Sequence, residues 1–215
     1  MRFQTRPIAC LSTAVAALAC SDARADLLLN GTIHQVSGSN YTLDTYNLTV
    51  NTAGTIVFNI RAREQDGSNT WADLNGDGFV TGIDGGIQVF AADGNPFSAL
   101  NMLGANDDSN AAGWNSDGSL FANDPYLSLS LAAGDYRVVF GEWHFLGNYA
   151  AINAGEAFGN SVAVYNSTHT TLISNAYAPY ELRVTGDVAL TAVPEPVSLG
   201  LMGLGGITVL RRRRR

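Results

Sequence analysis

Ile56, Phe58 and Ile60 alternate with Val57, Asn59 and Arg61, and the same two-residue period returns along most of the chain. Leu127, Leu129 and Leu131 alternate with Ser128 and Ser130, and Tyr136, Val138 and Phe140 mark one face of a further run. Residues 41–50, 161–165 and 180–185 continue the pattern, with Gly, Asn and Asp between the runs. Successive side chains of a strand point to opposite faces, so this alternation predicts half-buried antiparallel strands. Short strands with one apolar face bury it by stacking, which predicts an all-β, antiparallel β-sandwich. Helical segments are expected only at the two ends, as an N-terminal signal helix and a short C-terminal hydrophobic helix.

The ends are addresses rather than body. Arg2 and Arg6 precede an apolar, alanine-rich run over residues 8–20, and Ala23-Arg24-Ala25 supplies small residues where signal peptidase reads. Residues 1–25 are therefore expected to be a signal peptide cut before Asp26. Lipoprotein processing at Cys20 is the weaker alternative, because Leu18 is one place away from its usual position. Both cysteines, Cys10 and Cys20, lie in this leader, so the exported chain is expected to hold no disulfide and no thiolate site. Residues 26–190 are long enough for one domain.

Charge excludes a large class of partners. The chain has no lysine, and residues 26–195 carry four arginines against eighteen acids, a formal −14. Such a surface repels phosphate backbones and gathers cations, so nucleic acid is not an expected partner.

Oxygen-bearing side chains recur at fixed spacing in Asp73-Leu74-Asn75-Gly76-Asp77-Gly78-Phe79-Val80-Thr81-Gly82-Ile83-Asp84. Asp73, Asn75, Asp77, Thr81 and Asp84 stand at positions 1, 3, 5, 9 and 12, Phe79 offers a carbonyl at 7, and Gly76 allows the turn at 6. This is the spacing of a twelve-residue Ca2+ loop, read here as residues 73–84. The run resembles the loop of dockerin modules, which also end on Asp. A dockerin carries a helix after each of two loops, whereas Gly85-Gly86-Ile87-Gln88-Val89-Phe90 reads as a strand and no second loop is found. The competing reading is a solvated Asp/Asn/Gly turn.

Residues 82–90, Asn106-Asp107-Asp108, and residues 127–140 with their Ala-Gly-Asp turn together resemble the bacterial pre-peptidase C-terminal type of β-sandwich. The resemblance, over about residues 41–188, implies a jelly-roll-like sandwich that binds calcium at its loop end, and names no reaction. The C-terminus is more specific. Pro194, Glu195 and Pro196 are followed by an apolar run over residues 197–210 and then by Arg211, Arg212, Arg213, Arg214 and Arg215. Residues 191–215 thus resemble the PEP-CTERM sorting signal in all three parts and in order. An apolar run before a cationic cluster halts in the inner membrane with its arginines inside. A stretch of about 14 residues is short against the ~20 of an unstrained span, which suits a transient anchor. The resemblance implies cutting by an exosortase near the Pro-Glu-Pro motif. The body would then be released to the cell surface or to an extracellular matrix that is often rich in exopolysaccharide. The alternative is a plain transmembrane anchor that is never cut.

Catalytic signals are sparse. His34, His144 and His169 belong to no metalloprotease or nucleophile-elbow motif, so the chain is not expected to be an enzyme. Glu142 and His144 stand two apart, and a surface salt bridge at a strand end is favoured there over an acid–base pair. Trp71, Trp114 and Trp143 lie among polar residues, and an aromatic face beside Asn and Asp suits a pyranose ring. Capping the core is the favoured role for the three rings, and Trp114 is the best candidate for exposure and hence for glycan contact. The whole points to a secreted, calcium-binding, exosortase-sorted protein with a structural or adhesive role. A carbohydrate-binding module of the exopolysaccharide layer is the first alternative, and a secreted hydrolase with an unrecognised site the second.

Overall fold

The computed structural model describes residues 26–65, 70–108 and 124–193. The two expected terminal helices, Trp114 and the segment from Pro194 to Arg215 lie outside the described residues. The body is mostly β, built of antiparallel sheets that curl into a half-barrel. In chain order the strands are β1 (Asp26–Ser37), β2 (Asn40–Thr42), β3 (Asp44–Val50), β4 (Gly54–Arg61), β5 (Phe79–Thr81), β6 (Gly85–Ala91) and β7 (Met102–Asn106). They continue as β8 (Tyr126–Leu131), β9 (Gly134–Glu142), β10 (Glu156–Phe158), β11 (Val164–Asn166), β12 (Leu172–Ser174), β13 (Tyr177–Thr185) and β14 (Val188–Ala192). One short helix, α1 (Tyr149–Ala154), follows a 3-10 turn at Trp143–Phe145.

A six-stranded sheet runs β10-β2-β1-β13-β4-β8, a five-stranded sheet β14-β3-β9-β6-β7, and a three-stranded ribbon β12-β11-β5. Register follows the alternation. β4 meets β8 with Ile56 opposite Leu129 and Phe58 opposite Leu127, and β13 meets β4 with Leu182 opposite Ile60 and Val184 opposite Phe58. These inward residues join Leu48 of β3, Ile87 and Val89 of β6, and Val138 and Phe140 of β9 in one apolar cluster shared by the two larger sheets. Phe58, Ile60, Leu48, Ile87 and Leu182 are fully buried. Each such side chain contributes roughly 1.5–3 kcal/mol relative to exposure, so the core holds the body together without a disulfide.

Two departures from the sequence pattern have physical causes. Residues 41–50 do not form one strand: β2 belongs to the six-stranded sheet and β3 to the five-stranded one, with Leu43 between them donating its N–H to the Gly155 carbonyl at 2.9 Å. The buried apolar positions change there from Tyr41 and Leu43 to Tyr46, Leu48 and Val50, a one-residue shift of phase that marks the change of sheet. Second, β6 is buried on both faces rather than one. Phe90 and Val139, on the outer face of the five-stranded sheet, pack with Leu43, Phe145, Ile152 and Ala157 in a second apolar cluster. The Asn/Gly/Ala-rich residues 141–159 thus form a lid over that sheet. Asn148 caps α1 by accepting the Ala151 N–H at 3.2 Å, and Gly155 ends it in the left-handed region at φ 77°.

Candidate functional site

The acidic loop lies between β4 and β5. Gly76 adopts φ 77° and Gly78 φ 91°, conformations that favour glycine and let the chain double back. Asp73 sits at the centre of this turn. Its Oδ1 accepts the Gly76 N–H at 2.7 Å and its Oδ2 the Gly78 N–H at 2.9 Å. Asn75 Oδ1 accepts the Asp77 N–H at 2.9 Å, and Asp77 Oδ1 accepts the Phe79 N–H at 2.9 Å. Asn75 Nδ2 donates to the other Asp77 oxygen at 3.2 Å. Positions 1, 3 and 5 of the loop spacing therefore share one turn, with the Phe79 carbonyl leading out of it.

Thr81 and Asp84 do not follow the expected pattern. Beyond Phe79 the chain becomes strand β5, paired with β11 through Phe79 opposite Asn166 and Thr81 opposite Val164. An extended backbone advances ~3.3 Å per residue, so it carries positions 9 and 12 away from the turn, where a helix would wind them back. Thr81 is buried, and both its N–H (2.8 Å) and its hydroxyl (3.3 Å) donate to Glu64 Oε2. Asp84 lies instead among other charges. Burial pushes its carboxyl up to about 6, with Asp108, Glu142 and Asp107 raising it further and Arg63 drawing it down. Among the described residues, no group of three or more His, Cys, Asp or Glu side chains is placed to hold a metal ion. The side-chain oxygens that the turn does gather are those of Asp73, Asn75 and Asp77.

The residue that organises this region is Glu64, which the spacing argument passed over. It is fully buried. Its Oε1 accepts the N–H groups of Leu74 and Asn75, both at 3.1 Å, so one carboxylate ties the entry of the loop to its exit at Thr81. Burial holds the Glu64 carboxyl above the usual carboxylate range, and the Thr81, Asn75 and Leu74 amides pull it back. The signal for it was phase. Ile60, Ala62 and Glu64 continue the inward positions of β4, and all three are fully buried. A carboxylate in an inward position is expensive unless hydrogen-bonded, and here four donors meet it.

Glu142 and His144 pair at the end of β9, with the imidazole partly exposed and the carboxylate buried. Glu142 is buried, accepts the His144 backbone N–H at 3.0 Å, and pairs with His144 Nδ1 at 2.7 Å. Ser161 Oγ donates to its other oxygen at 3.0 Å. The pair therefore caps the turn that starts the lid. Trp71 lies flat on His169, with ring centroids 4.4 Å apart at 10°, and the Arg63 guanidinium lies 5.1 Å from its ring. His169, at φ 52°, also packs 4.1 Å from Tyr165. Trp71 is thus part of a stacked cluster rather than an open platform. Trp143 is more exposed, with His144 at 3.9 Å from its ring.

Comparison with known proteins adds one finding, at the other end of the chain. Residues 192–215 match the PEP-CTERM protein-sorting motif. No curated protein matches the chain. The match begins inside the folded body: Ala192 closes β14 opposite Tyr46, and the Val193 N–H donates to the Thr45 carbonyl at 2.8 Å. A PEP-CTERM motif implies an exported protein that is sorted to the cell surface and processed by exosortase.

Proposed function

We propose that this chain is a non-enzymatic surface or matrix protein with a structural or adhesive role, whose body is a calcium-stabilised, jelly-roll-like β-sandwich. The observation that carries the reading is the sorting motif at residues 192–215, whose first residue closes β14. A transient inner-membrane stage fits the apolar run and the cluster from Arg211 to Arg215. Exosortase is the processing partner, and the extracellular matrix, with its exopolysaccharide, the destination. Calcium is the proposed cofactor, held by Asp73, Asn75, Asp77 and the Phe79 carbonyl. Thr81 and Asp84 join only if they leave the partners they have in this structure. The support is the turn geometry around Asp73 together with the body's excess of acids. The test of delivery is fractionation of the native host with and without a functional exosortase. Body protein should reach the surface fraction only when exosortase works; the same amount on the surface without it overturns the reading.

A further inference from the structure

β14 fixes the end of the body in a sheet. It is an edge strand paired with β3, and the Val193 N–H donates to the Thr45 carbonyl at 2.8 Å, one step past the Ala192–Tyr46 pair. Pro194, Glu195 and Pro196 alone separate Val193 from the apolar run over residues 197–210. From Val193 to Val197 the chain takes four Cα steps of ~3.3–3.6 Å, a reach of at most ~14 Å.

The apolar run adds nothing to that reach. A helix of its length covers ~21 Å, short of the ~30 Å hydrocarbon core, so insertion draws Val197 down to the hydrocarbon boundary. The headgroup layer above that boundary is ~5–8 Å deep. At full stretch the tether leaves Val193 no more than ~6–9 Å above that layer, about the depth of one side chain. The wall around Val193 therefore meets the headgroups.

That wall suits such a partner. A cavity of about 440 Å3 lies beside the end of β14, and Val193 lines it together with Val36, Thr45, Asn47, Arg137 and Glu156. Val36 is 48% exposed and Val193 37%. Arg137 and Glu156 are the only charged groups among the described lining residues and they cancel, whereas residues 26–195 carry a formal −14. A neutral patch with exposed valines approaches a zwitterionic surface without the repulsion that the acid-rich remainder meets at anionic lipid.

We propose that, while the chain is anchored, the short tether holds this wall, with Val36 and Val193, against the phospholipid headgroups of the outer leaflet of the inner membrane. The end of β14 then faces the bilayer, and Val188, five residues back along the same strand, stands ~17 Å further out. The contact deepens the transient inner-membrane stage proposed above and rests on it.

The experiment uses the anchored chain, taken with its leader cut and its tail intact from membranes of an exporting host without exosortase. It is placed in phosphatidylcholine nanodiscs in which some lipid carries a gadolinium chelate on its headgroup, and valine methyl relaxation is read by NMR. Enhancement at Val36 and Val193 should be at least threefold that at Val188. A Gly/Ser insertion of about twelve residues between Val193 and Pro194, with an r.m.s. length of ~20 Å, should bring the three close to equality. A chain that does not float with the discs overturns the anchored stage and this contact with it. In a chain that floats, equal enhancement at the three valines, or a pattern that ignores the insertion, overturns the contact alone.

Discussion

Glu64 Oε2 accepts the Thr81 backbone N–H at 2.8 Å, so the strand leaving the acidic loop is fastened to a carboxylate that precedes the loop by nine residues. The same carboxylate holds Leu74 and Asn75, which makes Glu64 the anchor of the loop whether or not a metal is bound.

Replacing that carboxylate should therefore loosen the whole excursion. Glu64→Gln keeps the shape but turns an amide N–H₂ toward backbone donors that need an acceptor. Each buried donor left unsatisfied costs ~1–3 kcal/mol, so a loss of about 3 kcal/mol is expected in urea unfolding. A variant as stable as wild type would show that the loop holds itself.

Calcium dependence should reside in the turn rather than in Thr81. Calcium at one hundred times its dissociation constant should raise wild-type stability by about 2.7 kcal/mol over chelator, and Asp77→Ala should remove most of that gain. In chelator Asp77→Ala should be slightly destabilised, because Asp77 Oδ1 accepts the Phe79 N–H at 2.9 Å in a solvent-exposed turn. Thr81→Ala should lower stability equally with and without calcium, since its hydroxyl is bonded to Glu64. Thermal melts of the three proteins in both buffers check this. Identical wild-type melts would reduce the loop to an ordinary turn.

These two predictions also mark how far the sequence could be read. Strand faces were legible at Phe58, Ile60, Leu127 and Leu182 because a two-residue period fixes which side is buried. The turn at Asp73, Asn75 and Asp77 was legible because Asx side chains and glycine act locally. The partner of Thr81 was not legible, because it depends on β11, some eighty residues later in the chain, which turns the loop exit into a strand, and on Glu64 before the loop. The second apolar cluster was missed for a similar reason. Phe145 and Ile152 sit in a short segment with no sustained period, and only the outer face of β6 and β9 gives them something to cover. The cavity by Arg137 joins six separate stretches of chain, a coincidence that linear spacing does not encode.

Processing should leave termini close to the first and last strands. Asp26 pairs with Thr185 in β1 and accepts its hydroxyl at 2.7 Å, so the expected mature N-terminus is held in the sheet. The mature protein from the native host is expected to start at Asp26 and end between Pro194 and Pro196, which intact-mass analysis reads directly. Surface material that retains Arg211 to Arg215 would exclude exosortase cutting.

The last prediction concerns the seam between the two larger sheets. Tyr46 of β3 and Tyr180 of β13 share a hydroxyl–hydroxyl hydrogen bond inside the core, and Tyr180 donates onward to Asp44 Oδ2 at 2.6 Å. Burial pushes the Tyr46 hydroxyl up to about 12, the Tyr180 hydrogen bond opposing and Asp44 adding to the rise, while burial and then Asp44 hold Tyr180 well above the ordinary tyrosine value. An acid whose folded pKa exceeds its unfolded value binds its proton more tightly in the native state. Its stabilising contribution is complete below pH ~10, the ordinary tyrosine value, and is lost as pH rises through the native value. The protein should therefore hold its stability to about pH 10 and then lose it steeply. Of its eight tyrosines, these two should ionise only as it unfolds. Tyr46→Phe and Tyr180→Phe should each remove one late-ionising group and soften the alkaline transition. Tyrosinate absorbance recorded beside circular dichroism tests this: eight tyrosines ionising smoothly ahead of the structural transition would show that the seam is open to solvent.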